Sequence, residues 1–224
     1  MDTKTSIFLA IGTLILGWLL AIIGNIINEK LKRSSTKSDI ITGVNSELLE
    51  LQIHLTAVCL MSAVLVGEFT KEFFIWIKPF FIKFFESAEF IMPKEMRDKI
   101  PKISEIEDDM LFKLIEITFA KNSPNSATSF IYQNVTTPYI DLKISDISLL
   151  ESAIQRSLFT LKRDINFING DVNQISFYHS KTFDEPTPGN LELINSNLNN
   201  LYARIYRRSK IMIKNIEEVL KELR

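Results

Sequence analysis

Cysteine is nearly absent from this chain. The single Cys59 rules out an intramolecular disulfide and fits a reducing compartment. Histidine is almost as scarce, with only His54 and His179, so no His/Cys cluster has metal-ligand spacing. The 7 glycines form no phosphate-cradling loop after a strand. A serine or cysteine nucleophile needs a histidine base. Cys59 follows His54 by five residues in an apolar helical stretch, which reads as core packing. Strong charge of one sign is also missing: the formal net charge is −1, and past the basic flank described below the balance is mildly acidic. That excludes a global nucleic-acid footprint. The expectation is a non-enzyme with no catalytic residues, no metal and no cofactor.

One absence is local. Thr5 to Asn28 contains no charged side chain, and Ile7 to Gly24 is almost wholly apolar. As a helix at about 1.5 Å per residue this run spans roughly 36 Å, enough for a hydrocarbon core of about 30 Å. Only a helix satisfies its own backbone in lipid, so the run reads as a transmembrane helix and the lipid bilayer as a partner. Lys30, Lys32, Arg33 and Lys37 follow it, opposed by Glu29. Basic flanks favour the cytoplasmic side. The expected topology is single-pass in a bacterial inner membrane, with the N-terminus outside and the C-terminal domain cytoplasmic. A cleaved signal would carry its basic residues first and a shorter apolar run. The expected division is 1–33, the membrane helix with its flank, and 34–224, one helical cytoplasmic domain.

Ala10, Thr13, Gly17, Ala21 and Gly24 are spaced three, four, four and three, which puts them on one face of that helix. Small residues let helix backbones approach closely in lipid, so the stripe predicts a homo-oligomer. The competing reading is that Gly and Ala are simply frequent in membrane helices.

Beyond the flank the patterns are helical. Residues 39–67 predict a helix capped by Asp39 and ended by Gly67. Its apolar half, Ile53 to Val66, is short for a span and reads as a buried core helix. Phe73, Phe74, Trp76, Phe80, Phe81, Phe84 and Phe85 surround Lys78, Pro79 and Lys83. This stretch reads first as core and second as a segment in the bilayer interface. Pro79 should kink or interrupt its helix. Ser104 with Glu107 predicts a capping box opening a helix to about Lys121, and Ser148 with Glu151 predicts another. Between them, Asn122 to Ser126 is a loop and Phe130 to Ile144, with Pro138, is extended or irregular. Ile154, Leu158, Leu161, Ile165, Ile168, Val172 and Ile175 alternate spacings of four and three, a coiled-coil-like seam. His179 continues it, and reads as a hydrogen-bonded seam histidine. Asp184, Pro186, Pro188 and Gly189 mark a turn, with Asn190 capping a last helix. That helix carries Leu191, Ile194, Leu198, Leu201 and Ile205, then Met212, Ile216, Val219 and Leu223. The fold class is all-α: a membrane helix plus a bundle ending in a long antiparallel hairpin over 146–224.

Arg204, Arg207, Arg208, Lys210 and Lys214 run without an intervening acid, and Tyr202 and Tyr206 interleave. This run is a candidate contact for an anionic partner, whether RNA or lipid headgroups. The bland reading is a solvated helix face balanced by Glu217, Glu218 and Glu222.

The order of parts, with Pro138–Tyr139–Ile140–Asp141–Leu142 and Ser148–Leu149–Leu150 leading into the hairpin, resembles a group of bacterial single-pass membrane proteins. The architecture also resembles the small membrane accessory proteins of type VI-B CRISPR systems. Those pair a membrane helix with a HEPN-like bundle and assemble into a pore. HEPN nucleases carry an Arg, four to six residues, then a His; neither His54 nor His179 has that arginine. The resemblance therefore implies shape without RNase chemistry. Two functions follow as expectations. The first is an oligomeric, membrane-perturbing or pore-forming effector in anti-phage defence. The second is a membrane-anchored scaffold or receptor docking a protein or RNA partner.

Overall fold

The computed structural model of the protein describes residues 3–88, 106–120, 133–182 and 187–223, with side chains from residue 28 onward except 84–88 and 118–120. The architecture is all-α, and no strand occurs among the described residues.

Helix α1 runs unbroken from Thr3 to Leu65, 63 residues. At 1.5 Å per residue it is roughly 95 Å long. The expected fresh start at Asp39 does not occur, and the 33/34 division falls inside the helix. The reason is local: no Gly or Pro lies between Glu29 and Thr42 to interrupt the ladder. Thr36 and Thr42 donate their hydroxyls back to the Lys32 and Ser38 carbonyls. The expected end does occur. Gly67 takes φ 73°, and the Glu68 N–H closes on the Ala63 carbonyl at 2.8 Å. A left-handed glycine with that bond is a Schellman stop.

Within α1 the stretch Asn28–Leu65 is long and apolar enough to cross a membrane, by length and composition, although over half of its apolar window is buried in the bundle. Its two halves behave differently. From Asn28 to Asp39 it stands exposed or half-exposed, and Ile40 is the first buried described residue. Val44, Leu48, Leu51, Leu55, Val58 and Cys59 then face the core. The apolar stretch Ile53–Val66 is thus core, with Leu55, Cys59 and Ala63 fully enclosed.

Thr70 opens α2 (Lys71–Ala88), its hydroxyl accepting the Phe73 N–H at 3.2 Å. Phe73, Phe74, Ile77, Phe80 and Phe81 are buried, as the core reading of this aromatic stretch expects, while the Phe84 and Phe85 side chains lie outside the described ones. Pro79 does not end the helix; it stays inside it. In α3 (Asp108–Ala120), Phe112 stacks on Phe69 at 4.9 Å between ring centroids. The Ser104 capping box and the loop at Asn122–Ser126 lie outside the described residues.

The stretch expected to be extended holds a short helix, α4 (Pro138–Leu142), and a 3₁₀ turn, Asp146–Leu149. Pro138 fits because the first helical turn needs no N–H there. Glu47 of α1 supplies the cap: its two carboxylate oxygens accept the Tyr139 and Ile140 N–H groups, each at 2.7 Å. The Tyr139 ring lies on Gly43 so closely that a Cβ there would sit 2.0 Å from Cζ. The Tyr139 hydroxyl donates to the Asp39 carbonyl at 3.1 Å. Asp39, Gly43 and Glu47 are four apart and share one stripe of α1. On the other side, the Asn169 amide exchanges two 2.8 Å hydrogen bonds with the Val135 backbone.

The second capping box does not form. The 3₁₀ turn engages Ser148, whose hydroxyl donates to the Ser145 carbonyl, and α5 begins at Ser152. α5 (Ser152–Thr182) and α6 (Pro188–Glu222) make the expected hairpin. All seven seam residues from Ile154 to Ile175 are buried. Asn190 is not the cap of α6. Thr187 precedes Pro188 at the first helical position, so Asn190 falls within the first turn. Leu191 is exposed, whereas Ile194, Leu198, Leu201 and Ile205 are buried.

α6 is the centre of the bundle. It packs most extensively on α1 and next on α5. The Gln52 amide donates to the Ile213 carbonyl at 3.4 Å, and Cys59 Sγ meets the Tyr206 carbonyl at 3.9 Å. The two helices therefore run antiparallel. The shift of the apolar face from Ile205 to Met212, Ile216 and Val219 is what lets α6 serve α5 and α1 together.

Candidate functional site

The structure divides the basic run of α6 into two groups. Arg204 and Arg208 turn toward α5. Arg204 donates to Asp171 Oδ1 at 2.7 Å, and the Arg208 guanidinium lies 4.4 Å from the Phe167 ring centroid. Asp171 is buried, and its Oδ2 has no hydrogen-bond partner among the described residues. These two arginines bridge the hairpin beside its apolar seam.

Arg207, Lys210 and Lys214, at i, i+3 and i+7, share the other face. They border a groove of about 860 Å³ between α6 and the end of α1, walled by Leu65, Val66, Glu68 and Ile211. Aromatic rings set the lysines in place. Lys210 Nζ lies 5.5 Å from the ring centroids of Phe73, Trp76 and Tyr206, and Lys214 Nζ lies 5.8 Å from that of Trp76. A cation over a ring face is held by the ring quadrupole without being neutralised. Among the described residues, no carboxylate pairs with any of the three cations. The groove thus presents fixed positive charge beside apolar wall. Asn199, Asn200 and Glu68 also line it.

The basic flank lies elsewhere. Lys30, Lys32 and Arg33 are exposed and Lys37 half-exposed on the projecting part of α1. The backbone of Ala10, Thr13, Gly17, Ala21 and Gly24 belongs to α1, while their side chains lie outside the described ones.

Both histidines sit in packed surroundings. His179 Nε2 shares a 2.8 Å hydrogen bond with the Tyr202 hydroxyl across the hairpin. Burial pushes the imidazole below its ordinary range and the phenol up to about 12. Near neutral pH both are uncharged. Cys59 is enclosed in the core and is not presented to a base. Among the described residues, no three His, Cys, Asp or Glu side chains are placed to hold a metal ion.

No family model matches this chain. Nor does any curated protein or solved structure match it. Function therefore rests on the geometry.

Sequence reasoning found the three groove cations but missed the groove. Its other wall comes from residues 65–68, and the rings beneath the lysines come from residues 73 and 76. Nothing near position 210 signals either, because the partners are more than a hundred residues away.

Proposed function

We propose that this chain is a membrane-anchored receptor or scaffold that docks a cytoplasmic partner on the cationic groove of α6. The carrying observation is the groove itself: three aligned, unneutralised cations, the two lysines fixed over aromatic rings, beside an apolar wall. α1 supports the reading, since one continuous helix carries both the uncharged run and the core on which α6 packs. The basic flank then lies at the membrane surface, and the domain lies in the cytoplasm. The membrane-perturbing oligomer expected first from the sequence depends on the stripe from Ala10 to Gly24. The docking reading moves ahead of it because the groove offers aligned, unneutralised cations beside an apolar wall.

Reconstitution separates the two. Liposomes containing the purified full-length protein should remain ion-tight. Sustained ion flux from the protein alone would displace the receptor reading in favour of the pore.

A further inference from the structure

Resting on that docking reading, we infer that the groove takes an acidic amphipathic helix of a partner protein, oriented with its carboxylates over Arg207, Lys210 and Lys214.

Distance excludes the anchoring bilayer. Ile213 lies beside Gln52 and Tyr206 beside Cys59. Those α1 residues stand roughly 36 and 46 Å beyond Asn28 along the helix. Salt screens charge over about 8–10 Å, so headgroups at the anchor do not feel the groove.

The lining argues against single-stranded nucleic acid. Such ligands bind by stacking bases on exposed aromatic faces as well as by backbone charge. Here the rings lie beneath the lysines: Phe73 and Tyr206 are buried and Trp76 is half-buried. The exposed lining offers no ring for stacking: it is cationic, aliphatic (Ile211 at 55%) or, at Glu68, Asn199 and Asn200, non-aromatic polar.

That pairing suits a helix laid into a groove. Cations at i, i+3 and i+7 on α6 match carboxylates recurring at three or four residues on a partner helix, and Leu65, Val66 and Ile211 match its apolar stripe. The groove is also graded. Along α6 the Asn199–Asn200 pair precedes Arg207–Lys214, and the antiparallel register, with Gln52 beside Ile213 and Cys59 beside Tyr206, carries the end of α1 and Glu68 toward the asparagines. Glu68 repels an acid placed beside it, so only one direction of a charge-graded helix is accommodated.

The test uses the full-length protein in nanodiscs and fluorescence anisotropy. The probe is a labelled helical peptide with a leucine stripe and glutamates at i, i+4 and i+7 in one half. Three comparisons accompany it: the peptide with Gln for Glu, the peptide with its acidic half moved to the other end, and a labelled single-stranded RNA. The acidic peptide should bind at least about tenfold more tightly than the other three. The double variant Arg207→Ser, Lys214→Ser should weaken it about tenfold; both side chains are exposed, so helicity and melting should stay unchanged. Lys210→Met, which keeps the stem over the rings, should weaken it alone. RNA binding lost in the double variant, with no peptide binding, would overturn the acidic helix but keep the docking reading. A changed assembly mass in the double variant would assign the groove to a second copy of the chain. No binding by any probe would overturn the inference. Ion flux in the liposome experiment would separately overturn the receptor reading.

Discussion

Among the described glycines, Gly43 is the one whose Cα another side chain, the Tyr139 ring, covers. A methyl group at Gly43 meets the phenol ring at 2.0–2.5 Å, so the ring must leave its place on α1. Gly43→Ala should destabilise the protein by about 1–3 kcal/mol, the usual cost of overpacking. Tyr139→Ala should abolish that extra cost, so a thermal-melting double-mutant cycle should give a large coupling energy. Coupling near zero would show that the ring does not rest on Gly43. His179 provides a second residue-level prediction. Its folded pKa is lowered by burial, so at low pH the unfolded state takes up the proton first. Its contribution is fully present above about pH 6.5 and is lost as pH falls through the lower folded value. The melting temperature should drop across that window, and His179→Asn should reduce the drop, the remainder coming from His54, whose imidazole burial also pushes down. Neither pairing was equally legible in sequence. His179 could be placed because it continues a seam. Gly43 could not, because its partner lies nearly a hundred residues away and its own surroundings are ordinary helix.

At the scale of elements, periodicity carried well and boundaries carried poorly. The α5 seam was readable because seven aliphatic residues repeat at helical spacing. The hairpin followed from Pro and Gly between two such patterns. The packing of α6 on α1 was not readable, since any apolar helix face is silent about which neighbour covers it. Asp39 misled because a good cap residue is only a cap where the ladder stops. The continuity of α1 is itself testable. Spin labels at positions 28 and 42, fourteen residues apart, should be separated by about 21 Å with a narrow distribution. Ser35→Pro removes one hydrogen bond and clashes with the preceding turn, so it should broaden or shorten that distance. A broad distribution in the unsubstituted helix would show two segments rather than one.

For the whole molecule, the all-α class was legible and the topology remains a proposal with a direct measurement. Cys59 is enclosed in the core, so the natural protein offers a quiet background for thiol labelling. A cysteine at Thr3 should react with an impermeant reagent in intact cells, and one at the exposed Ser180 should react only after lysis. The opposite pattern would reverse the orientation. The unbroken α1 has one more consequence, which concerns angular phase. A rigid helix fixes the compass bearing of the groove relative to the Ala10–Gly24 face. Each residue inserted between Asn28 and Asp39 turns the domain by about 100° and raises it by about 1.5 Å. Three or four inserted residues nearly restore the bearing, while two nearly reverse it. Any output that depends on which way neighbouring copies face should therefore rise and fall with insert length, with a period of about 3.6 residues.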